Sequence, residues 1–156
     1  MSATTQIRKG ATTAMNKPSI LPRLLLRCEL WVHARILPFQ AWGKSLEETL
    51  TLAQPNPLMS HYKNLSPDYI ARAVRRTTRR PWIMRDRRCL RQGLLTYRYL
   101  VHNGLQPQLH FGVSDDVVTS EKVAAHCWVT LDGKILIGES EISYVEVLVH
   151  PSEKAA

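Results

Sequence analysis

The sequence predicts an α+β fold with helices first and antiparallel strands afterwards, and two observations carry that prediction. Upstream of Gly104 the apolar residues recur at three- and four-residue steps; downstream they fall into short, β-branched, strand-like segments. Between two of those segments stands Asp132-Gly133, the dipeptide of a two-residue hairpin turn. At 156 residues, 44% hydrophobic and 22% charged, the composition is ordinary for a globular chain and allows one domain with a core, or a small domain plus an appendage. No internal repeat interrupts this pattern.

Residues 1–18, rich in Thr, Ala, Ser and Lys without apolar periodicity, are expected to be a flexible tail. Residues 19–65 read as a helical N-terminal region and 66–156 as the core. From Ile20 to about Phe39, Leu21, Leu24, Leu25, Cys28, Trp31, Val32 and Ile36 define an amphipathic helix with Arg23, Arg27 and Arg35 off the stripe. This helix is expected to pack on the domain; a membrane-surface or partner-docking helix is the other reading. A shorter helix over Leu46 to Leu52 precedes a connection broken by Pro55 and Pro57.

Ser66 caps the next helix, with Pro67 at its first position and Asp68 in its first turn, and Pro81 stops it after Arg80. Tyr69, Ile70, Ala73 and Val74 form its apolar side and the arginines its outer side. Asp86 is the candidate cap of a helix from Arg87 to His102, with Leu90, Leu94, Tyr97 and Val101 on one stripe and Asn103-Gly104 at its end. Gln108 to Val113 reads as a strand, Ser114 to Glu121 as a polar loop containing Asp115 and Asp116, and Val123 to Leu131 and Lys134 to Glu139 as the hairpin. Ile142 to His150 is a further strand or an extended tail.

Cys28, Cys89 and Cys127 have no paired spacing, which argues for free thiols in a reducing compartment. Arg23, Arg27 and Glu29 interrupt the apolar N-terminal stretch, so neither stable membrane insertion nor a cleaved signal is expected and the chain reads as cytoplasmic. The net charge of +8 implies an anionic partner, and the arginines from Arg72 to Arg91 concentrate it on one surface. That run is either a solvated helix face or a dock for an acidic peptide; without interleaved aromatics, nucleic acid is not the expected partner.

Cys89 falls at about the third helical position, among Arg85, Arg87, Arg88 and Arg91. The positive end of the helix dipole and these guanidinium groups suit a sulfur nucleophile there. His126 is the candidate base. With Asp132 and Gly133 as the loop, Leu131 faces Lys134, and the same register sets His126 opposite Glu139, a carboxylate that would orient the imidazole. Asp132 sits at the turn, on the order of 15 to 20 Å from His126 along the strand, too far to do so. Cys127 alternates to the other face and reads as core packing, and Trp128 reads as a core wall. A zinc site of Cys89, His126 and Cys127 lacks ligand spacing, and His33, His61, His102, His110 and His150 read as structural or exposed.

The segments RPWIMRDRRCLRQGLLTYRYLVHNGLQPQLHFGV and AAHCWVTLDGKILIGE resemble the transglutaminase-like cysteine peptidases of lasso-peptide biosynthesis, the leader-removing B proteins. The shared elements are Cys89-Leu90, Phe111-Gly112-Val113, His126-Cys127-Trp128-Val129 and Asp132-Gly133, and the resemblance covers about residues 80–140. It implies a papain/transglutaminase-like core and a Cys-His-Asp peptidase without a cofactor, with Cys89 as nucleophile and His126 as general base. The family's Asp, about twelve residues after the His, is Gly138 here; Glu139 is next and is taken as the third member. The implied partners are a precursor peptide of leader and core, a separate leader-recognition protein and a lasso cyclase. Two other functions use the same fold: a non-catalytic peptide-binding scaffold, motivated by the missing Asp, and an acyl-transferring transglutaminase.

Overall fold

The computed structural model describes residues 20–54, 65–79, 87–114 and 125–151. The expected tail, the Pro55-Pro57 connection, Asp86 as a cap and the Asp115-Asp116 loop lie outside the described residues. Among the described residues four helices come first: α1 (Ile20–Gln40), α2 (Leu46–Thr51), α3 (Pro67–Thr77) and α4 (Arg88–His102). Four strands follow: β1 (Gln108–Ser114), β2 (Ala125–Leu131), β3 (Lys134–Ile137) and β4 (Tyr144–Pro151). They form one antiparallel sheet in the order β3-β2-β1-β4. No described helix is long and apolar enough to cross a membrane.

Local chemistry sets the helix ends. Ser45 and Glu48 form a reciprocal capping box at α2, each side chain bonding the other residue's backbone N–H. The Ser66 hydroxyl accepts from the Tyr69 N–H, and Pro67 opens α3 where no intrahelical N–H is needed. This helix ends at Thr77, short of the expected Arg80. The Thr78 hydroxyl donates to the Val74 carbonyl and accepts from Gln92, anchoring the end of α3 to α4. At the end of α4, the Leu105 N–H returns to the Leu100 carbonyl, closing the helix at Asn103-Gly104.

Central to the packing is α4, with α1 and α3 on one side and the sheet on the other. Its burial is therefore wider than the one-sided stripe expected from sequence: Leu94 and Tyr97 are buried, and so are Leu95, Thr96, Tyr99 and Leu100. One hydrophobic cluster joins all three helices to Leu109, Phe111, Cys127, Val129 and Ile137 of the sheet. Gly93 permits the close approach, because a methyl group there would overlap the Cys127 thiol.

The expected orientation of α1 is corrected. Its buried residues are Leu26, Leu30, Ala34, Leu37 and Pro38, whereas the stripe of Leu21, Leu24, Leu25, Cys28, Trp31, Val32 and Ile36 faces outward. Both sides of the helix carry apolar residues. Ala34 is small enough to let the backbone approach its neighbours, and the side that packs is the one with the less conspicuous sequence signal.

Candidate active site

The helix that bears Cys89 begins at Arg88, with Arg87 at the cap position and no capping side-chain hydrogen bond among the described residues. Cys89 is therefore its second residue, and the sulfur is half-buried. Backbone donors at such an end point toward the space before the first turn. Arg88 lines that space with Cys89. Arg91 does not: it turns inward, 5% exposed, toward the groove between α1 and α3. The cationic surroundings of Cys89 come instead from Arg88 and from Arg75, Arg76 and Arg79 at the end of α3.

His126 is near the start of β2. In the turn joining β2 to β3, Asp132 has φ of 50° and Gly133 of 77°, the paired positive values of the expected two-residue turn. The register begins as expected, with Leu131 opposite Lys134 and Thr130 opposite Ile135. A bulge then intervenes, and Val129 faces Ile137. The expected pairing of His126 with Glu139 is thereby corrected: one extra residue shifts the register, and β3 ends at Ile137 before reaching His126. No hydrogen bond joins His126 to Glu139 among the described residues.

Instead, His126 Nε2 lies 2.7 Å from the Gly138 carbonyl oxygen. A carbonyl only accepts, so Nε2 carries the proton and Nδ1 is the lone-pair nitrogen of the neutral ring. Gly138 has φ of 84°, and a Cβ there would stand 2.5 Å from the Cys127 carbonyl and 2.8 Å from Trp128. No side chain fits that position, so a carboxylate at 138 is sterically excluded and the main chain provides the acceptor. Tyr144 stacks on one side of His126, with ring centroids 4.8 Å apart, and Trp128 lies 6.1 Å away.

Cys89, His126, Gly138 and Glu139 line a single cavity of about 560 Å³, together with Gln92 and the four arginines. It lies where β3 ends, beside Gly138. The three residues singled out from the sequence are thus brought to one space. A family model described as the transglutaminase-like superfamily matches residues 30–150. The chain belongs to that superfamily. The matched span takes in about half of α1 and all of α2 and α3, well upstream of the motifs visible in the sequence. No curated protein and no solved structure matches the chain.

Within this superfamily member, Cys127 is core: it is 2% exposed, and burial, with a smaller contribution from nearby Cys89, pushes its thiol well above the ordinary range. Trp128 is half-buried on the sheet face turned away from α4, stacked against His110 with centroids 5.3 Å apart. It walls that outer face and not the helix-facing core. His110 is held there by Glu146 at 2.5 Å and by the Thr130 hydroxyl at 2.8 Å. Gln92 was not apparent from the sequence. Its signal is its spacing, three residues beyond Cys89 on the same helix side.

Proposed function

We propose that the protein is a cysteine peptidase that removes the leader from a ribosomally synthesised precursor peptide in lasso-peptide maturation, before a partner cyclase forms the macrolactam. Membership of a superfamily that includes the lasso-peptide B proteins supports the reaction class. The observation that carries the reading is the single cavity bounded by Cys89 and His126, with the His126 ring oriented from behind by the Gly138 carbonyl.

In this mechanism Nδ1 of His126 takes the Cys89 thiol proton as the sulfur attacks the scissile carbonyl at the leader-core junction. The proton passes to the leaving amine as the tetrahedral intermediate collapses to a thioester. Water, activated by the same nitrogen, hydrolyses the thioester and restores the thiol. The Cys89 N–H, in the first turn of α4, donates to the oxyanion. Gln92 is the second donor: one amide N–H is committed to the Thr78 hydroxyl at 2.9 Å, which fixes the group and leaves the other N–H for the cavity. Glu139 serves as the third member from the cavity wall, without a hydrogen bond to the ring. A separate leader-recognition protein presents the substrate.

The test is Cys89→Ala with precursor peptide and the leader-recognition protein, read by mass spectrometry. Cleavage disappears and peptide binding persists. Unchanged cleavage overturns the peptidase reading. A wild-type chain that binds without cleaving makes the protein a scaffold, and an amide-linked product makes it a transferase.

A further inference from the structure

A second cavity adjoins the first. It occupies about 850 Å³ between α1 and α3, and six arginines line it: Arg27, Arg35, Arg72, Arg76, Arg79 and Arg91. Among the described residues no Asp or Glu lines it. Arg76 and Arg79 also line the Cys89 cavity, so the two spaces share a cationic wall.

Arg91 makes this more than a charged surface. Its side chain reaches the groove from the central helix, it is 5% exposed, and its Nε is buried without a hydrogen-bond partner. No ion pair reaches it among the described residues. Burial first, and the Arg35 guanidinium second, lower its affinity for the proton, the mark of a cation short of counter-charge. A guanidinium does not shed its charge under ordinary conditions, so an unpaired buried one is costly until an anion arrives.

We propose that the groove between α1 and α3 binds an acidic stretch of the substrate peptide and leads its scissile bond to Cys89. This rests on the reading of Cys89 as a nucleophile toward peptides. Guanidinium forks match carboxylates with two parallel hydrogen bonds, and a row of them suits an extended segment bearing several. Continuity with the Cys89 cavity favours a peptide over other polyanions. The groove's aromatic rings point the same way: the Arg35 guanidinium lies 3.5 Å over the Trp31 ring and Arg23 lies 5.3 Å over Tyr69, so a face of each is already taken and unavailable for base stacking.

The experiment uses the full chain carrying Cys89→Ala and a short fluorescent peptide of alternating Glu and Gly, with the Gln and Gly peptide as control, read by anisotropy. The Glu peptide binds, the control does not, and added salt weakens the complex. Adding Arg27→Gln and Arg72→Gln, both exposed and outside the catalytic cavity, weakens binding about tenfold, as expected for two partly exposed ion pairs. Arg91→Met weakens it further; should that variant fail to fold, the exposed pair decides alone. Equal binding of the two peptides, or binding unchanged in the double variant, overturns the proposal. So does an oligonucleotide or inorganic polyphosphate that binds the groove more tightly than the Glu peptide. Binding is read without the nucleophile, so persistent cleavage by Cys89→Ala would overturn the peptidase reading alone, and a groove indifferent to Glu would overturn only this inference.

Discussion

At position 138 the chain uses its backbone where the resemblance suggested a carboxylate. Gly138→Ala places a methyl against the Cys127 carbonyl at a positive φ, and should cost about 2 kcal/mol or more in urea unfolding while slowing cleavage as the imidazole loses its support. An alanine variant with wild-type stability and turnover would refute that role. Glu139→Gln should leave stability unchanged and slow turnover about tenfold, roughly 1.4 kcal/mol of barrier, while Asp132→Asn perturbs only the turn. If single-turnover rates respond to Asp132 and not to Glu139, the acid has been misassigned. That Cys89 and His126 would share a cavity was legible because each sits in a recognisable local pattern. Gln92 was not, and neither was the approach of the α3 arginines to Cys89, since it depends on how two helices cross, which no local spacing records.

The elements themselves were legible almost throughout, but the side that α1 buries was not. Leu30 is fully buried and Leu24 is 53% exposed, although both belong to apolar rows at helical spacing. Leu30→Ala should therefore cost about 2 to 5 kcal/mol, and Leu24→Ala within about 0.5 kcal/mol of nothing. Chemical denaturation of the two variants decides it; the opposite order would restore the face expected from sequence. The hairpin shows the same limit. Asp132-Gly133 announces its turn, whereas the bulge falls in the run Lys134-Ile135-Leu136-Ile137, where consecutive apolar residues hide a change of phase.

For the molecule as a whole, a helix buried on two sides explains why α4 carries polar groups inside. Tyr99 is fully buried, and its hydroxyl meets Nδ1 of His33 at 2.6 Å, tying α4 to α1. Burial first, and the Arg98 guanidinium second, hold His33 below its ordinary value of 6.5, against a smaller opposing pull from Glu29. As pH falls through that value the unfolded chain takes up the proton before the folded one, so stability is lost until the folded ring protonates too. The urea midpoint should fall between about pH 7.5 and about pH 5.5, and His33→Gln should flatten the slope; an unchanged slope would remove His33 as its cause. The order of helices and strands was legible across this assembly; the two-sided burial was not, because it arises only when α1, α3 and the sheet close on the same helix. The contact between Gly93 and Cys127 then acquires a further meaning. Gly93 lies about one helical turn beyond Cys89, and Cys127 is the residue next to His126. Helix and strand meet there one short step from both Cys89 and His126, so the closeness of the two elements beside the cavity depends on a residue that has no side chain.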